Sequence, residues 1–233
     1  MRLRGEEELN RVELNRVEFD QQYPRPVLGM DEVGTGCVAG PIYAAGVVLP
    51  QEPALLEALQ KAGLRDSKRC TKPTIERIVR MLDESCVLYF IAGADPRTIE
   101  RYGNGGVLRR MFAALHNRFR LTACPKTTLI DGASPGRLGF RHKAVVKGDD
   151  KSLTIAAASV LAKAARDRFM ASLPEAAIYG WGDNAGYPTR LHREAMYEHG
   201  LSEHHRRNTK TVEALLDEVV IIASPGSPLS AAS

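Results

Sequence analysis

The chain has 233 residues, 44% of them hydrophobic, enough to bury the core of one large domain. Its formal charge of +4 is compatible with nucleic-acid binding but does not demand it. No apolar run approaches the ~18 residues of a membrane span, and the charged start MRLRGEEELN is unlike a signal peptide, so a soluble, cytoplasmic protein without a membrane partner is expected.

Residues 1–26 read as a charged helical appendage, with LNRVE at 9–13 repeated at 14–18 and Pro24 and Pro26 closing it. The main domain then begins at Val27. Val27 to Glu32 reads as a strand, Gly34-Thr35-Gly36 as a turn where backbone can approach a ligand, and Ile42 to Leu49 as a second, buried strand. Ala54–Ala62 and Thr71–Cys86 are predicted helices, the latter capped by Thr71, with Pro73 in its first turn and Ile75, Ile78, Val79 and Leu82 on one face. A strand follows at Val87–Ala92. Arg97–Phe119 is helical at its far end, where Val107, Met111, Ala114 and Leu115 make a stripe, while Gly103, Gly105 and Gly106 interrupt its start.

Thr127–Asp131 and His142–Val146 read as further strands, the first closed by Gly132 and the second leading into Lys147-Gly148-Asp149. Ser152–Ala171 is the clearest helix, with Ile155, Ala158, Ala162, Ala165 and Phe169 at helical spacing and alanines that permit close approach to a sheet. Tyr179–Thr189 reads as a loop, Arg190–Glu198 and Lys210–Ile222 as helices, and 223–233 as a disordered tail. The pattern predicts an α/β fold: a mixed central sheet flanked by helices, with a C-terminal helical extension. Cys37, Cys70, Cys86 and Cys124 form no C-x-x-C pair and are expected as reduced thiols in or just below the core.

Acids end several of these strands: Asp31 with Glu32, Asp131 in LIDG, and Asp149 in VVKGDD. An acid before glycine also makes turns, so one alone decides little. Asp150 competes with Asp149, which is preferred because it follows the glycine directly; Asp167, four residues after Lys163, reads as a helix-surface ion pair. Side chains alternate along a strand, so Asp31 and Glu32 can share a site only if Glu32 sits at a strand end or bulge. Carboxylates gathered from several strand ends suit magnesium or manganese, and two such ions ~3.5–4 Å apart serve phosphodiester cleavage.

At this point the chain resembles the ribonuclease HII family. The matching words run in order: GMDEVGTG with AGP, RDSK at 65–68, LIDG at 129–132, VVKGD at 145–149, IAAASVLAKAARDRFM at 155–170, GYPT at 186–189 with His192, and HRR at 205–207. The resemblance implies a ribonuclease H-like fold and hydrolysis of the RNA strand of RNA/DNA hybrids, leaving 3'-hydroxyl and 5'-phosphate ends. It implies Asp31, Glu32, Asp131 and Asp149 as catalytic and metal-binding acids for two Mg2+ or Mn2+ ions. It places Gly34, Thr35, Gly36, Lys68, Lys147, Ser159, Lys163 and Tyr187 against the substrate, Lys68 on phosphate and Tyr187 on the sugar of the recognised ribonucleotide. The expected partners are RNA/DNA hybrid and DNA duplex containing ribonucleotides, bound by a monomer.

The family's usual turn is Gly-Arg-Gly. Thr35 replaces that arginine and resembles the sister family ribonuclease HIII, which prefers runs of ribonucleotides. Ala185 likewise stands where lysine is usual, and Asn208-Thr209 where serine and phenylalanine are usual. The competing readings are a hybrid binder without turnover and an integrase-like nucleotidyl transferase; four acids argue against the first, and the adjacent Asp31-Glu32 pair against the second.

Overall fold

The computed structural model describes residues 16–64, 67 and 70–222. Its sheet has five strands, β1 (Val27–Val33), β2 (Ile42–Val48), β3 (Leu88–Ala94), β4 (Thr127–Asp131) and β5 (Lys143–Val145), in the order β3-β2-β1-β4-β5. β1 pairs antiparallel with β2 and β2 with β3, whereas β4 runs parallel to β1 and to β5. The helices are α1 (Pro53–Lys61), α2 (Lys72–Glu84), α3 (Pro96–Thr122), α4 (Gly148–Lys151), α5 (Leu153–Ser172), α6 (Ala176–Tyr179), α7 (Trp181–Asn184), α8 (Arg190–His199) and α9 (Lys210–Ile222).

Alternation along β1 assigns the two faces of the sheet. Leu28 and Met30 are fully buried beneath α3 with Ile42, Phe112, Leu115 and Phe119. Gly29 points the other way, where a Cβ would stand 2.6 Å from the Thr154 carbonyl carbon, so the missing side chain is what lets α5 lie on the central strand. α5 is buried on every side from Leu153 to Ala162, a wider surface than the predicted stripe. The reason is a second cover: α2 packs Ile75, Ile78, Val79 and Leu82 over α5's outer face.

Several local readings change. α3 starts at Pro96, capped by Asp95 accepting from Thr98 N at 2.7 Å, and the glycines produce only a kink at Gly103 (φ 66°, ψ 162°). The predicted loop 179–189 contains the single turn α7 directly after α6. Cys86 and Cys124 are exposed, contrary to expectation, because each adopts left-handed backbone (φ 49° and 45°) just past the end of a helix.

Residues 16–26 contact the main domain through Arg16 and Asp20. Residues 16–21 are helical, and buried Asp20 accepts hydrogen bonds from Ser152 Oγ, Thr154 N and Thr154 Oγ1 at the start of α5. Arg16 donates to the carbonyls of Asp150 and Leu64. The first LNRVE copy and the tail 223–233 lie outside the described residues.

Candidate active site

β1 outruns β4. Its pairing with β4 stops at Met30↔Ile130, while its pairing with β2 continues in unbroken register to Val33↔Tyr43. Asp31 therefore stands where the sheet's parallel half ends, next to Asp131 at the end of β4. No bulge redirects Glu32, so it alternates away from Asp31. One carboxylate oxygen from each of Asp31, Asp131 and Asp149 lies within 4.8 Å of the other two, and Glu32 is not in that group, although it lines the same cavity.

Each aspartate is aimed by its own element. Asp31 is 5% exposed, accepts from Glu32 N at 2.7 Å and is hydrogen-bonded by Ser159 of α5. Asp131 is held by Gly148 N at 2.6 Å, an approach that a side chain at Gly148 would obstruct, since its Cβ would stand 2.7 Å from Ile155 Cδ1. Asp149 comes from α4, entered through Lys147 in left-handed conformation. Asp150 instead faces Arg16, 3.6 Å from its guanidinium. Burial, then the neighbouring charges of Glu32 and Asp131, push the Asp31 carboxyl well above the ordinary carboxylate range. Three carboxylates offering oxygen ligands within this distance of one another fit a hard divalent metal.

The cavity beside the aspartates has a volume of about 100 Å³ and is also lined by Gly34, Thr35, Ser67, Ser159, Lys163 and Tyr187. Gly34 takes φ 92°, and a Cβ there would meet Arg166 Nε at 2.3 Å; the Thr35 carbonyl accepts from Asn104 Nδ2 beside the α3 kink. Gly36 is exposed, close to the Tyr187 ring. Lys163 pairs with Asp167 at 2.9 Å, as the spacing predicts, yet still borders the cavity. Lys147 is exposed and outside the cavity lining, and Lys68 lies outside the described residues.

Two contributors escape a sequence reading. Ser67 is buried with its Oγ 2.9 Å from Ser159 Oγ, joining the RDSK word to the Asp31 partner. Arg166 is fully buried and donates to the carbonyls of Pro41, Ala185 and Ala39 at 2.8, 2.6 and 3.1 Å, tying the glycine turn to the Tyr187 loop. Its signal was spacing: Arg166 falls two helical turns after Ser159 and so shares its face. Arg206 stands nearby, 1% exposed, donating to the Gly40 carbonyl, and burial lowers its pKa to about 10.

A mixed sheet in this order, with aspartates converging from β1, β4 and the segment after β5, is a ribonuclease H-like fold. The family profile described as Ribonuclease HII matches residues 28–212. A Ribonuclease HII of Parabacteroides distasonis is 36% identical over 182 residues, 77% of this chain and 87% of that protein. One from Ruegeria pomeroyi is 40% identical over 193 residues, 82% and 78% of the two chains. Among solved structures, the PCNA:RNase HII complex from Archaeoglobus fulgidus aligns with TM-score 0.64 at 26% identity, covering 80% of this chain and 96% of that one. Bst-RNase HIII in complex with Mn2+ aligns at 0.61 and 22% identity, covering 82% and 69%, a likeness of fold alone. The chain belongs to the ribonuclease HII family.

Proposed function

We propose that this protein is an endonuclease that hydrolyses the RNA strand of RNA/DNA hybrids, using two Mg2+ or Mn2+ ions held by Asp31, Asp131, Asp149 and Glu32. The observation that carries the proposal is the convergence of three aspartates beside the Gly34-Thr35-Gly36 turn and Tyr187. Bound divalent ions supply the activated water and the stabilisation of the leaving oxygen. The chain's own groups do the rest. Ser159 and Glu32 N orient Asp31, Gly148 N orients Asp131, and α4 delivers Asp149. Lys163 and Lys68 offer positive charge to phosphates, the glycine turn offers backbone groups to the 2'-hydroxyl, and the exposed face of Tyr187 receives the sugar. Water adds to phosphorus and the bond to the 3'-oxygen breaks, leaving 3'-hydroxyl and 5'-phosphate ends. Action as a monomer in the cytoplasm belongs to the same reading.

Thr35 bears on selectivity. A threonine cannot supply the charged, bidentate phosphate contact of an arginine, whereas the turn's backbone groups survive the change. The proposal therefore includes efficient cutting of continuous RNA strands and weak cutting at a single ribonucleotide embedded in DNA. Two labelled duplexes, one of each kind, incubated in Mg2+ and separately in Mn2+ with Asp131→Asn as control, test it. Metal-dependent cutting of the continuous hybrid is expected, with Thr35→Arg improving the single-ribonucleotide duplex. Absence of metal-dependent cutting on both would favour a binder. Equal cutting of both, with no gain from Thr35→Arg, would remove the selectivity argument.

A further inference from the structure

Behind Tyr187, away from the aspartates, two histidines lie ring to ring inside the protein. His192 of α8 is 0% exposed and His205 of the HRR word 2%, packed with Tyr179 and Trp181. Their contacts leave one arrangement of protons. Trp181 Nε1 can only donate, and it lies 3.1 Å from His192 Nε2, so that nitrogen carries no hydrogen. The Tyr187 carbonyl can only accept, and it lies 2.8 Å from His192 Nδ1, so the hydrogen is there. A hydrogen on His205 Nε2, 3.2 Å from the bare His192 Nε2, shares that nitrogen's single lone pair with Trp181. The far side agrees, because the Ser202 amide donates to His205 Nδ1 at 3.0 Å and requires it unprotonated, with Ser202 Oγ, also 3.0 Å away, then placed as a second donor. Both rings are neutral, and a proton added to either would set a donor against a donor.

We propose that His192 and His205 form a proton-locked pair that positions Tyr187, a role for both residues that rests on Tyr187 being the sugar-contacting residue. The pair links parts of the site that are distant in sequence. His205 belongs to a segment bonded to the chain leaving the glycine turn: Ala39 bridges His205, Arg206 N donates to the Val38 carbonyl at 2.7 Å, and Gly40 N to the His204 carbonyl at 2.8 Å. Val38 N and Ala39 N in turn donate to the Gly186 carbonyl. The tautomers of the pair thus set the spacing between the Tyr187 ring and Gly36, the gap a ribose must enter. Tyr187's carbonyl also accepts from Thr189 N at 2.8 Å, so loss of the histidine donor shifts the loop without releasing it.

Nitrogen-15 NMR of the imidazoles in the unmutated full-length protein at pH 7 reads the lock directly. Hydrogen on His192 Nδ1 and on His205 Nε2 is expected; the reverse tautomers, or a charged ring, would overturn the proposal. Steady-state cleavage of an RNA/DNA hybrid then tests the coupling. Asn in place of His192 can present its amide near the Nδ1 position, whereas Gln presents it near Nε2. His192→Gln is expected to lose roughly three- to tenfold in kcat/KM, the range one hydrogen bond contributes, chiefly through KM. His192→Asn is expected to lose clearly less. In a Tyr187→Ala background the Gln substitution should add nothing, since both act through the same ring. Equal damage from Asn and Gln, or additive losses with Tyr187→Ala, would overturn the positioning role. Should His192→Gln not fold, the tautomers in the unmutated protein decide. If the unmutated protein cuts no hybrid, the functional reading falls while the tautomer result still stands or fails by itself.

Discussion

Three carboxylates gathered this closely repel one another in the metal-free protein, and replacing one of them by its neutral isostere should relieve that repulsion. Asp31→Asn is the sharpest case, because Asp31 is the most enclosed of the three and its oxygen lies within 4.8 Å of oxygens of both Asp131 and Asp149. At an effective dielectric constant of about 20, each fully ionised pair at that distance costs about 3.5 kcal/mol. Burial and the neighbouring charges of Glu32 and Asp131 raise the Asp31 pKa, which is the same repulsion seen from the proton's side. A net gain of about 1–3 kcal/mol on substitution is therefore expected, or roughly 2–10 °C in melting temperature for a chain of this size. The sign follows from the pKa. A raised carboxyl favours the folded state while protonated and loses that contribution as pH rises through the folded pKa, so the variant's advantage should be full at pH 8 and fade near pH 4. Thermal denaturation in EDTA at both pH values measures it, with Mn2+ added in a parallel series. There the order should invert, since the wild type gains from binding and the variant binds weakly. An Asp31→Asn protein that melts below wild type in EDTA at pH 8 would refute the electrostatic reasoning.

Removal of Arg166 should be costly in a different way. Arg166→Met leaves the carbonyls of Pro41, Ala39 and Ala185 without that donor and should lower unfolding free energy by about 2–4 kcal/mol; Arg166→Lys, whose donors radiate from one point, should recover little in urea titrations. Asp20→Asn places an amide where two oxygens accept, so it should cost about 1–2 kcal/mol by the same measurement. His205, whose pKa burial lowers to about 4, makes stability fall between pH 6.5 and 4, because the unfolded chain takes up a proton that the folded chain refuses. The stability difference between wild type and His205→Gln should shift against the wild type by up to about 3 kcal/mol across that window.

Most of the fold can be read along the chain because its signals are local. Thr71, Pro73 and the four apolar residues of α2 announce that helix, and the cluster's aspartates come from the far part of β1, the last residue of β4 and the short helix that follows β5. What could not be read depends on relations between elements. That Glu32 lines the cavity without joining the three-aspartate group follows from the unbulged pairing of β1 with β2 through Val33, which only the register of the two strands reveals. Arg166 looks like a surface residue in LAKAARDRF, and its burial needs the chain around Pro41 and Ala185 to close over it. His192 and His205 each read as an ordinary polar residue; their meaning lies in the 3.2 Å between them.

The bonds of Asp20 to Ser152 and Thr154 also constrain the order in which the molecule can form. They join positions 132 residues apart, so during synthesis at 5–20 residues per second the early helix waits roughly 7–26 s for its partner. β1 waits nearly as long for β4. Until then the middle strand of the sheet has one open edge, and Asp31 has neither of the aspartates that will crowd it. The aspartate cluster consequently cannot exist until residue 149 has been made, and a ribosome-bound chain stalled before that point is expected to carry the glycine turn but no complete set of aspartates.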